Sequence, residues 1–205
     1  MEQDEAGTVA RLKELRKELI EPVLARLGGR FVDLKGDGAI VEFHSAVAAV
    51  EAAVEIQRAV ASHEAAVPEG QRIRYRIGIN LGEVVVDGED IYGDGVNVAA
   101  RIESLCEPGG VWLAARVHDQ VRGKLEVDFE PTGLHRVKNI SEPVEAWRAR
   151  LDGGPSARGS RHLGRTKRRW WSRPALAPCV AGLAICSDPQ SSAGGIAIIG
   201  GSCPD

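Results

Sequence analysis

Residues 72–81 alternate without a break: Ile73, Tyr75, Ile77, Ile79 and Leu81 interleave with Arg72, Arg74, Arg76, Gly78 and Asn80. A period of two sends successive side chains to opposite faces, so this stretch predicts a strand with one buried and one polar face. The polar face reads as solvated in preference to a phosphate contact. Gly82 turns the chain into a short strand at 83–86, and Asp87-Gly88 is a second turn signal. A strand and a hairpin therefore lead directly into whatever begins at Asp90.

What begins there is Asp90-Ile91-Tyr92-Gly93-Asp94-Gly95-Val96-Asn97-Val98-Ala99-Ala100-Arg101, a glycine turn running into an amphipathic helix. Val96, Ala99, Ala100 and Leu105 repeat at helical spacing. Asn97 and Arg101 are i and i+4 neighbours, which stacks an amide and a guanidinium on one helix face. Such a pair suits an anionic, oxygen-rich ligand, for instance a ribose carrying phosphates.

Around this centre the chain alternates helices and strands. Leu12, Leu15, Leu19, Ile20, Val23, Leu24 and Leu27 form a helical stripe over 5–27, interrupted at Pro22 and ended by Gly28-Gly29. Residues 30–34 and 39–43 read as a hairpin around Lys35-Gly36-Asp37-Gly38, with Asp37 at its tip. Residues 45–62 form a second amphipathic helix that Ser45 can cap. A buried strand at 111–113, a short helix through His118 and Val121, a charged loop at 133–140 and a strand at 144–149 complete the pattern. His118 and Asp119 are adjacent rather than one turn apart, which argues against a metal site there.

The run at 90–101 closely resembles the helix motif of class III nucleotidyl cyclases, D-x-[YW]-G-x-x-V-N-x-A-x-R, at every defined position. The resemblance covers 1–151 and implies an α/β (α+β) ferredoxin-like domain, an antiparallel sheet with flanking helices. It implies conversion of a nucleoside triphosphate, ATP ahead of GTP, to the 3′,5′-cyclic monophosphate and pyrophosphate in intracellular signalling. In that scheme Asp90 reads the base, and Asn97 and Arg101 hold ribose and phosphates during catalysis. Asp37 matches one of two carboxylates that bind two divalent cations, magnesium or manganese. Lys138, with Pro143-Val144, matches a segment that contacts the triphosphate, although Val137 and Asn139 depart from its pattern. Asp33 stands where ATP-selective relatives carry a Lys, and Lys35 shares its strand face.

The resemblance also implies something missing. The family's first strand, which carries the other metal-binding Asp, has no counterpart here, so Met1 reads as an internal residue taken as a start. Two inner sheet edges are expected to lack a partner. Since the family site forms between subunits, a homodimer would lack the first Asp twice, whereas a heterodimer with an intact cyclase would keep one complete site. The alternative role is a catalytically silent dimerisation partner or regulatory module.

A net charge of −3 supplies no basic field for nucleic acid, and four cysteines without C-x-x-C spacing suggest neither zinc nor a disulfide framework. The charged N-terminus has no secretory h-region, and a cytoplasmic location is expected. From 152 onward Gly153-Gly154-Pro155-Ser156 and the basic run 161–169 have linker composition. Trp170-Trp171 and an apolar stretch follow, about 12 residues against the ~20 a span needs, which makes the tail a candidate for membrane contact only. Residues 188–205, rich in Gly and Ser, show little pattern and read with the rest of 152–205 as a disordered tail.

Overall fold

The computed structural model describes residues 5–35, 38–82, 85–87, 90–92, 94–136, 143–151 and 194–202, with 5–6, 35, 85–87, 90–92 and 194–202 described as backbone. Helix α1 (Glu5–Leu15) passes through a π-helical turn, Arg16–Ile20, into α2 (Glu21–Leu27). Pro22 lacks an amide, and its ring crowds the carbonyl four residues back. The helix widens just before it, and the Glu21 amide donates to the Arg16 carbonyl, five residues away. The break expected at Pro22 is thus a widened turn. Gly28, at φ 71°, ends α2 by donating its N–H to the Leu24 carbonyl, as the Gly28-Gly29 pair predicts.

Strands β1 (Gly29–Lys35) and β2 (Gly38–Phe43) pair antiparallel, and α3 (Ala46–His63) follows. The Ser45 hydroxyl accepts from the Ala48 amide at 3.5 Å, the expected cap. Ala49, Val50, Ala53, Ile56 and Val60 bury one face of α3 against the sheet. Gln57 on the same face donates its side-chain amide to the carbonyls of Tyr75 (2.9 Å) and Gly110 (2.7 Å). It thereby ties the alternating strand β3 (Arg74–Gly82) to the turn before β6 (Val111–Ala114).

Strands β4 (Val85–Asp87) and β5 (Asp90–Tyr92) form a separate hairpin before α4 (Asp94–Leu105). Beyond β6 come α5 (Ala115–Val121), β7 (Phe129–His135) and β8 (Val144–Ala149). Strand β7 takes up the first part, 133–135, of the charged loop expected at 133–140, and 137–140 lie outside the described residues. Pro131 and Gly133 disguise it, and both sit at a register shift on the outermost strand, where a missing donor and a positive φ are tolerated. His118 is buried, stacked on Trp147 with ring centroids 3.7 Å apart, and Phe129 meets it edge-on. It is a core residue, while Asp119 is exposed.

The main correction concerns the tail. Residues Gly194–Ser202 form β9, and the seven-stranded sheet runs β1-β2-β9-β3-β6-β8-β7. Strand β9 is antiparallel to both β2 and β3, and among the described strands only β3 and β6 pair parallel. The inner edges expected to be unpaired are therefore paired, by a segment read from the sequence as disordered. An interior strand need not alternate, and Ile196-Ala197-Ile198-Ile199 does not; glycine pairs on either side complete the disguise. Residues 152–193 and 203–205 lie outside those described. The mixed α/β architecture with flanking helices is otherwise as expected, and among the described residues no helix is long and apolar enough to cross a membrane.

The main core lies between the sheet and the layer of α1, α2, α3 and α5, where Val41, Ile77, Ile79, Val111 and Leu113 are wholly buried. A smaller cluster on the opposite face joins Ala99 to Val32, Ile40, Val96 and Ala100.

Candidate functional site

Helix α4 is held to β3 by backbone contact. A Cβ added to Gly78 would stand 2.4 Å from both the Ala99 carbonyl oxygen and the Glu103 nitrogen. One added to Gly82 would stand 2.4 Å from the Gly95 Cα. Between these glycines the buried Asn80 donates its side-chain amide to the Gly95 carbonyl at 3.0 Å. Three successive same-face positions of β3 therefore seat one helix. The solvated face expected for this strand holds at Arg74 but not at Gly78 or Asn80, which α4 covers.

This seating determines what α4 presents. Gly95, Ala99 and Ile102 face inward, the last two with no exposed surface. Asn97 and Arg101 lie two residues to either side of Ala99, which at 100° per residue turns each about 160° away from it. Asn97 is exposed and Arg101 half-buried, and neither forms a hydrogen bond or ion pair with another described residue. The amide and guanidinium that the spacing predicts as neighbours are thus one turn apart on the outward side.

The other predicted site residues are placed less fully. The backbone of Asp90 opens β5 opposite Asp87, four residues before α4 begins at Asp94. Asp37, between β1 and β2, and Lys138, between β7 and β8, lie outside the described residues. The hairpin leading to Asp37 is nevertheless joined to α4, because Val32 of β1 and Ile40 of β2 pack against Ala99. Asp33 is half-buried on the same hairpin.

Two divalent cations call for several converging carboxylates. Among the described residues no three His, Cys, Asp or Glu side chains gather. Glu42, buried on β2, is engaged by Arg30, whose Nε donates to it at 3.1 Å and whose terminal nitrogen donates as well. The described carboxylates therefore do not form a two-cation site. Of the cavities with described linings, one of about 220 Å³ lies between α1 and the β1–β2 hairpin. Another, of about 380 Å³, lies beside Arg58, Glu64 and Arg72. Neither includes Asn97 or Arg101, which stand on an outer surface.

The positioning residues Gly78, Asn80 and Gly82 escape a reading based on alternation. Their signal was available: two glycines and an amide at every second position of an otherwise well-formed strand, where glycine alone weakens the strand.

Comparison with known proteins bears on the same region. Residues 34–148 match the model of the adenylate and guanylate cyclase catalytic domain. A protein of Rhizobium meliloti (strain 1021) named "Putative adenylate cyclase 3" is 46% identical over 147 residues, 72% of this chain and 25% of that protein. The chain thus spans about a quarter of that relative's length. The crystal structure of an adenylate/guanylate cyclase/hydrolase from Silicibacter pomeroyi is similar at 42% identity and a TM-score of 0.69, covering 73% of this chain and 87% of that one. The guanylate cyclase domain of RhGC from Catenaria anguillulae, solved in complex with GTP, is similar in fold at 22% identity and a TM-score of 0.56, covering 73% and 86% of the two chains.

Proposed function

Because the chain belongs to the adenylate and guanylate cyclase catalytic domain family, we propose that it binds a nucleoside triphosphate, ATP ahead of GTP, and contributes to forming the 3′,5′-cyclic monophosphate and pyrophosphate. The observation that carries this reading is the outward pair Asn97 and Arg101 on a helix whose opposite side is clamped to β3. Asn97 offers donor and acceptor to ribose oxygens. Arg101 offers a planar fork to the phosphates, and its charge offsets the negative charge that develops as the 3′-oxygen attacks the α-phosphorus. Asp90 is the proposed base-reading acceptor, Lys138 the point charge on the triphosphate and Asp37 a carboxylate for a cation. No step is assigned to the cations, because the described carboxylates do not assemble their site.

A pair on an outer surface suits a site closed by a second subunit, either another copy or an intact cyclase. A second reading, the catalytically silent partner, is favoured by one observation: β9 fills the middle of the sheet without any acidic residue. The test is cyclic nucleotide formation from ATP or GTP with manganese. Asn97→Ala and Arg101→Ala are each expected to lower turnover about 10²- to 10³-fold while leaving the unfolding midpoint unchanged. Unchanged turnover in either variant would overturn its assigned role. Nucleotide binding without turnover, with turnover gained on mixing with an intact cyclase, would select the partner reading.

A further inference from the structure

The β1–β2 hairpin and the β3–β6–β8–β7 half of the sheet share no strand pairing with each other. Among the described strands, β9 is the one that pairs with both. It matches six residues of β2, from Gly38↔Gly200 to Phe43↔Gly195, and all of β3, from Arg74↔Ser202 to Gly82↔Gly194. Strands β2 and β3 therefore bound a strand-wide slot whose two edges present unsatisfied amides and carbonyls unless it is filled. The occupant comes from the far end of the chain, after a connection of roughly 40 residues beyond β8. At up to ~3.3–3.6 Å per residue, that length can cross the whole domain.

We propose that the slot is a strand-acceptor site, that the chain's own Gly194–Ser202 is its occupant, and that docking of this segment holds the β1–β2 hairpin in register with the β3–α4 unit. The slot takes a strand antiparallel to both neighbours, so recognition runs through main-chain hydrogen bonds as in β-strand addition. Docking within the chain is favoured over exchange with a second copy, because a tethered segment competes at an effective concentration of the order of millimolar. The consequence for the site is specific. Asp37 follows β1, Asn97 and Arg101 lie on α4, which is seated on β3, and β9 is the sheet element between β2 and β3. That consequence rests on the nucleotide reading; the docking does not.

Hydrogen exchange of the full-length chain tests the docking directly. Amides of 195–201 are expected to exchange at least about 100-fold more slowly than free chain, at dilute and concentrated protein alike. Free-chain rates there, in a sample whose α3 and β6 amides are protected, would overturn the proposal. Protection that arises only on dimerisation would overturn docking within the chain. Ile198→Pro, which removes a ladder donor, is expected to speed exchange of β2 and β3 edge amides about tenfold while α3 stays protected. Unchanged β2 and β3 exchange would refute the linking role. Binding of a fluorescent ATP analogue separates the two readings. If the unmodified chain fails to bind it although 195–201 are protected, the nucleotide reading falls and the docking stands. If Ile198→Pro exposes the strand yet binds the analogue as the unmodified chain does, the coupling falls and the nucleotide reading stands.

Discussion

Replacing Gly78 with alanine is the most direct way to ask whether backbone contact seats α4. The added Cβ would meet the Ala99 oxygen and Glu103 nitrogen at 2.4 Å and the Glu103 Cα at 2.8 Å, all backbone atoms, so no side chain can rotate away. Ordinary contact begins at 3.4 Å, and α4 must retreat by about 1 Å over this position. Overpacking of this kind costs about 1–3 kcal/mol, and lifting Ala99 and Ile102 off the strand adds to it. Reduced freedom of the unfolded chain returns about 0.4–1 kcal/mol. The net loss is about 2 kcal/mol, a fall of about 4–8 °C in melting temperature for a chain of this size. Gly70→Ala, where an added Cβ meets nothing within 4 Å, is the control and is expected to stay within about 0.5 kcal/mol. Urea unfolding followed by circular dichroism measures both variants. Equal midpoints for the two would refute the seating of α4 described here.

Two further outcomes concern buried titratable groups. Burial, with Arg122 adding, pushes the His118 imidazole below its usual range despite Asp119 nearby. The unfolded chain therefore takes up this proton first, and stability is expected to fall as pH drops below about 6.5, by at most ~1.4 kcal/mol per pH unit. His118→Phe, which keeps a ring against Trp147, should lessen the loss between pH 7.5 and 5.5; equal acid sensitivity would count against this account. Glu64 is 3% exposed and accepts from the Ile73 amide at 2.8 Å and from Arg11 at 2.7 Å. Burial works to raise its pKa, but the Ile73 amide and Arg11 outweigh burial and hold the carboxyl below its ordinary value of 4.5. Its contribution is present above that value and lost as pH falls through the lower, folded one. Glu64→Gln is expected to cost about 1–3 kcal/mol at pH 7 and less in acid, read from urea midpoints. A pH-independent cost would be inconsistent with the ion pair.

Much of the fold was legible because its signals are local. Ser45 caps α3, Gly28 ends α2, and the alternation at 72–81 places β3 to within two residues at either end. The elements that escaped notice depend on partners distant in sequence. Strand β7 survives Pro131 and Gly133 because it borders the sheet on one side only. Strand β9 has a recognisable role only once β2 and β3 lie on either side of it, and no window of its own sequence reports that. The site divides similarly. Asn97 and Arg101 follow from helical spacing, whereas Asn80 is explained only by the Gly95 carbonyl it reaches.

The glycines of β3 explain why two residues spaced one turn apart on α4 face a fixed direction. Glycine inside a strand costs about 0.5–1 kcal/mol relative to alanine, and this strand carries it at both Gly78 and Gly82. The opposite face offsets that cost, because Tyr75 and, between the glycines and just before them, Ile79 and Ile77 are buried in the main core. Strand β3 thus anchors the sheet with one face and leaves bare backbone on the other. A helix resting on side chains could roll as those side chains change rotamer. Helix α4 rests on main chain at Gly78 and Gly82 and is hydrogen-bonded by Asn80 between them, so its rotation is set at three points along one line. Asn97 and Arg101 then point away from the sheet by geometry, and neither is engaged by another described residue.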